Sequence, residues 1–84
     1  MLSGAELRLI QGCARGRFGL YLRLVDGHRF FDVVAVPDGI TWLLKITSER
    51  GAHFDGAIDG DRVEGQLCGV VNWAKKQLAM GAPS

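Results

Sequence analysis

Cysteine is scarce in this chain: only Cys13 and Cys68 occur in its 84 residues. With neither Cys-x-x-Cys nor Cys/His zinc spacing, they exclude a disulfide scaffold and a structural zinc site. Long apolar runs are missing too, so no membrane-spanning helix is expected. No charge of one sign dominates, since ten Lys+Arg stand against nine Asp+Glu for a formal net charge of +1. The cationic surplus on which phosphate binding depends is therefore absent from the composition. Residues Met1 to Leu9 place Glu6 and Arg8 where a secretory leader would be apolar, so a cytoplasmic protein is expected. Neither internal repeats nor low-complexity segments break up the sequence. Its length leaves room for one small domain over residues 1–84.

What is present is a folding pattern. Phe18, Leu20, Leu22 and Leu24 alternate with other residues up to Asp26-Gly27, and Phe31, Val33 and Ala35 resume the alternation beyond it. This is a hairpin signal. A two-residue turn at Asp26-Gly27 pairs Leu24 with Arg29, Leu22 with Phe31 and Leu20 with Val33, and gathers the apolar side chains on one side. A second turn at Asp38-Gly39 pairs Ala35 with Trp42, Val33 with Leu44 and Phe31 with Ile46, on that same side. Two turns that agree on sidedness predict a three-stranded antiparallel meander, because a slip of one residue would scatter the apolar set over both faces.

The last third changes period. Val63, Leu67, Val70, Val71, Ala74 and Leu78 fall on one stripe of an amphipathic helix. Asp61 with Glu64 is expected to cap its start and Lys75 with Lys76 to complement its far end, with Gly81 and Pro83 ending it. The stripe is expected to lie on the apolar side of the sheet. At the amino end, Ala5 to Gln11 reads as an edge strand, although Ser3 and Glu6 also spell a capping box. Ser48 to Asp59 has two glycines and no clean period, and reads as a long connection with a short extended piece around His53 to Ile58. The expected fold is α+β: an antiparallel meander of three or four strands with one long C-terminal helix across one face.

The opposite face of that sheet is unusual. It carries Tyr21, Arg23, Val25, His28, Phe30, Asp32, Val34, Val36, Thr41, Leu43, Lys45 and Thr47. A solvated outer face should alternate cleanly to polar residues, and half of this one is apolar or aromatic. The expected register sets Asp32 opposite Lys45 and Arg23 opposite Phe30, which occupies the charges within the sheet. Two covers compete: the amino-terminal segment with Leu7, Leu9 and Ile10, or a protein partner, including a second copy. Apolar patches on small soluble domains mark contacts, which favours the partner. On the helix, Gly65 and Gly69 project away from the core stripe beside Trp73 and would permit a close backbone approach.

Chemistry is harder to find. His28 and His53 are the only histidines, and neither has a nucleophile and an orienting carboxylate at a fixed spacing. Cys68 falls at the core boundary of the helix and reads as a small buried hydrophobe. His53, Asp55, Asp59 and Asp61 invite a metal reading, but Ala57 and Gln66 stand where a calcium loop needs ligands. Arg15-Gly16-Arg17-Phe18-Gly19, with Tyr21, Arg23, Phe30 and Lys45, has the residue types of a platform for single-stranded nucleic acid. The expectation is a non-enzymatic interaction module without cofactor or metal, an accessory or inhibitory protein of the kind phages and mobile elements encode. It would bind a protein or itself through Tyr21, Arg23, Phe30, Val34, Leu43 and Lys45, or through Gly65, Gly69 and Trp73. Single-stranded nucleic-acid binding is the alternative.

Overall fold

In the computed structural model residues 2–80 are described. The element order is α1 (Gly4–Gly16), β1 (Leu20–Asp26), β2 (Arg29–Asp38), β3 (Thr41–Ser48), β4 (Gly51–Asp59), a single 3-10 turn (Gly60–Arg62) and α2 (Val63–Met80). The strands form one antiparallel sheet in the order β1-β2-β3-β4. Both helices lie on the same face. The Cα atoms span 43 × 26 × 15 Å, and the thin dimension fits one helical layer on one sheet.

Sidedness follows the apolar alternation, but each expected turn slides by one position. Asp26 pairs with Arg29 and Asp38 with Thr41, so the turn residues are Gly27-His28 and Gly39-Ile40. Gly27 at φ 66° and Gly39 at φ 63° each occupy the first turn position, while His28 and Ile40 keep negative φ. A primed turn with glycine first matches strand twist, so glycine placement decides the register. Every pairing moves by two residues and no side chain changes face. Leu24 meets Phe31, Leu22 meets Val33 and Leu20 meets Ala35. Ala35 meets Leu44 and Val33 meets Ile46.

Ser48 to Asp59 is a third hairpin rather than a long connection. Ser48 pairs with Gly51, whose φ of 113° closes the turn, and β4 runs from there along β3. One register break between Ile46 and Thr47 leaves His53 as the extra residue, a β-bulge. The strand is an edge, exposed along most of its length, so apolar alternation survives only at Phe54 and Ile58.

The amino-terminal segment is a helix, not an edge strand. The Ser3 hydroxyl accepts from the Glu6 N–H at 3.1 Å and the Glu6 carboxylate accepts from the Ser3 N–H at 2.8 Å, a closed capping box. Leu7 and Leu9, which suggested a strand, are both exposed; Ile10 is fully buried, with Cys13 and Ala14 packed beside it at helical spacing. Arg17 terminates α1 in the left-handed region at φ 56°, and its guanidinium donates to the Gly39 carbonyl.

The core joins Ile10 of α1 to both layers. Leu20, Leu24, Phe31, Val33, Ala35, Trp42, Leu44 and Ile46 from the sheet meet Val63, Leu67, Val71, Ala74 and Leu78 of α2. The helical stripe is as its spacing predicts, with Val70 half-buried at its margin. Phe18, expected on the core face of the hairpin, precedes β1, is 67% exposed, and lies against Gly16.

The ends of α2 differ from expectation. Asp61 does not cap it, because Asp61 lies within the 3-10 turn, whose own N-cap Asp59 makes no side-chain cap bond. Instead the Gly60 N–H donates to the Ile40 carbonyl at 3.0 Å, an approach so close that a Cβ on Gly60 would stand 2.7 Å from that oxygen. Near the far end, the Arg29 guanidinium arrives from β2 to donate to the carbonyls of Gln77 and Leu78 at 3.2 and 3.4 Å. It supplies the positive charge expected of Lys75 and Lys76. Lys75 turns to α1 and meets Glu6 at 2.5 Å. Gly81 and Pro83 lie outside the described residues.

Candidate functional site

Because Ile10 draws α1 to the same face as α2, the described residues place no helix over the other face of the sheet. The amino-terminal segment therefore does not cover it. Pairing builds this face in rows: Tyr21, Val34, Lys45 and Asp55 form one, Val36, Leu43 and Ala57 a second, and Arg23, Asp32 and Thr47 a third. Tyr21 is 59% exposed, Val25 61% and Leu43 46%. Phe30 and Val34 are half-buried by their neighbours within the sheet.

The polar members of the face are engaged with one another. Arg23 forms a fork on Asp32, with Nε donating at 2.7 Å and Nη2 at 2.8 Å, and the Tyr21 hydroxyl donates to the same carboxylate at 3.1 Å. The guanidinium also lies 4.3 Å from the centre of the Phe30 ring. This corrects the expected pairs: Arg23 lies directly opposite Asp32 and only diagonally from Phe30, while Lys45 lies between Val34 and Asp55 rather than opposite Asp32. The Arg23 bonds hold the Asp32 carboxyl below its ordinary value against the opposing effect of burial, with the Tyr21 bond adding to them. An ordered, internally neutralised aromatic cluster results. Its charges need no counterion, which lowers the cost of covering it.

Gly65, Gly69 and Trp73 are on the other side of the molecule, so the expected contact residues separate into two surfaces. These three line a groove of about 470 Å³ between α2 and the β3–β4 hairpin, with Leu44, Ile46, Phe54 and Ile58 as its apolar floor. α2 approaches β1 and β2 more closely than β3 and leaves this strip open. Trp73 stands edge-on to Phe31, with ring centroids 5.1 Å apart. His53, carried inward by the bulge, lies near both rings and shares a 2.8 Å hydrogen bond with the Ser48 hydroxyl. Phe54 and Ile58 were legible only as a short extended piece. The alternation Phe54-Gly56-Ile58 was the available signal for their common face.

The remaining candidates do not converge. Asp55 pairs with Lys45 on the outer face, while the His53 ring is on the helix side. Cys13 and Cys68 are free and half-buried; burial pushes the Cys68 thiol up, with Glu64 adding to the effect, which suits packing rather than nucleophilic attack. Among the described residues no three metal-binding side chains come together and no helix is long and apolar enough to cross a membrane. No family model, curated protein or solved structure matches this chain.

Proposed function

We propose that the protein is a small non-enzymatic interaction module that binds a protein surface, its own or that of a partner it assists or inhibits, through the outer face of its sheet. One observation carries the reading. Tyr21, Val25, Val36 and Leu43 are exposed together on one side of an antiparallel sheet, with no element of the described residues above them. Rigid aromatics beside a preorganised arginine are the residue types that dominate contact energies, and strands hold them in place without further ordering cost.

The same geometry weakens the nucleic-acid alternative. Stacking needs free ring faces and phosphate needs free cations. Arg23 covers one face of Phe30 while it is forked on Asp32. Arg17 is spent on the Gly39 carbonyl and Arg15 stands 3.7 Å from Glu64.

The test combines solution mass at two protein concentrations with capture of proteins from an extract of the source cells. Tyr21→Ala with Leu43→Asp should retain the fold by circular dichroism and lose self-association, capture or both. A variant that keeps the mass and the captured set of the unaltered protein contradicts the proposal.

A further inference from the structure

The sheet ends on one side at β4, and that edge lacks most of the usual protection. It runs nine residues, Gly51–Asp59, without lysine or proline. Its bulge at His53 lies near its start, which leaves 54–58 as regular strand. Edges of this kind template pairing with another strand unless something blunts them. Beside the edge lies the open apolar groove floored by Phe54 and Ile58.

The strand's own sequence names a partner. When two copies of one strand pair antiparallel about a two-fold axis, each residue must meet one on the same side of the sheet, so the axis passes through a residue. An axis at Asp55 sets two aspartates against each other. An axis at Ala57 sets Asp55 against Asp59 of the second copy, again like charges. An axis at Phe54 runs the pairing into the bulge. An axis at Gly56 pairs Asp55 with Ala57 on the outer side and Phe54 with Ile58 on the groove side, twice over. The Phe54 ring already lies across Gly56, where a Cβ would come 2.8 Å from its Cζ. The missing side chain at the axis leaves room for both rings. Asp55 is flanked by Lys45 on β3, so the juxtaposed edges carry compensated charge.

We infer that β4 pairs with β4 of a second copy in antiparallel register about Gly56, making a continuous eight-stranded sheet in which Phe54 and Ile58 of the two copies close the ends of their grooves. This is a different surface from the outer face, and its backbone signature separates the two.

The experiment follows amide exchange of residues 54–58 at low and high protein concentration, in the unaltered chain and in two charge variants. The expected result is protection of these amides that rises with concentration. Ala57→Lys, opposite Asp55 of the second copy, should tighten self-association, and Ala57→Asp should weaken it, each by roughly tenfold because the pair occurs twice. Contact through the outer face alone would raise mass without protecting the β4 edge, and overturns the inference. So does a monomer at every concentration, which would leave the edge to an extended segment of another protein. Protection with no opposite response to Lys and Asp at position 57 overturns the register.

Discussion

The Arg23 guanidinium and the Asp32 carboxylate face each other directly across β1 and β2, joined by bonds of 2.7 and 2.8 Å. That pair fixes the aromatic cluster on the β1–β2 side of the proposed docking face. Tyr21 shares the same carboxylate and Phe30 lies beneath the guanidinium, so two aromatic side chains take their orientation from one carboxyl group.

Acid should loosen the cluster in a definite direction. Asp32 titrates below its ordinary 3.8 in the folded chain, so the unfolded chain takes up this proton first as pH falls. The contribution to stability is complete above the ordinary value and is lost as pH falls through the folded one. Denaturant unfolding from pH 5 down to pH 2 should show a shallower loss of stability in Asp32→Asn than in the unaltered chain. Equal slopes would show that the carboxylate is not held by Arg23 in solution.

The Glu6–Lys75 pair ties α1 to α2 at 2.5 Å. Burial raises the Glu6 carboxyl, but bonds from Lys75 and Ser3 outweigh it and the net shift is downward from 4.5. By the same sign, its stabilisation is present above that value and disappears below it. Lys75→Met should lower the unfolding midpoint at pH 7 and bring the Glu6 carboxyl titration up toward its ordinary value, read by NMR. An unchanged Glu6 titration would contradict the contact.

Two glycines should answer oppositely to alanine. Gly69 lies in the interior of α2 with open space where a Cβ would go, so Gly69→Ala should stabilise by about 1 kcal/mol. Gly60 would bring its Cβ to 2.7 Å from the Ile40 carbonyl oxygen, and Gly60→Ala should destabilise by about 1–3 kcal/mol. Urea unfolding of the two variants distinguishes them, and shifts of one sign would show that the β4-to-α2 junction is looser than described.

Core truncation gives a scale for these effects. Leu67 is fully buried between α2 and the sheet, and Leu67→Ala should cost about 2–5 kcal/mol in the same measurement.

Legibility in the sequence tracked burial. The α2 stripe and the inward strand residues were readable because water exclusion enforces their periods, and a two-residue register slip leaves the period-two pattern unchanged. The slip itself turned on whether aspartate or glycine occupies the first turn position, a choice that hydrophobicity does not record. β4 escaped because an exposed edge strand with Ala52, Gly56 and Ala57 has little apolar alternation to show. In α1 the cap at Ser3 and Glu6 carried the correct answer, against the Leu7 and Leu9 alternation, since neither leucine is buried. The outer face was readable as residues, and its separation from Gly65, Gly69 and Trp73 followed from setting the helix stripe on the apolar side of the sheet, where the core joins the two.

Tyr21 is the chain's single tyrosine and is exposed on the proposed docking face, on its edge strand β1. Hydroxyl-radical labelling should modify it readily in dilute purified protein and much less in intact source cells, where its partner or a second copy covers it. Equal labelling in both settings would contradict a docking role for this face.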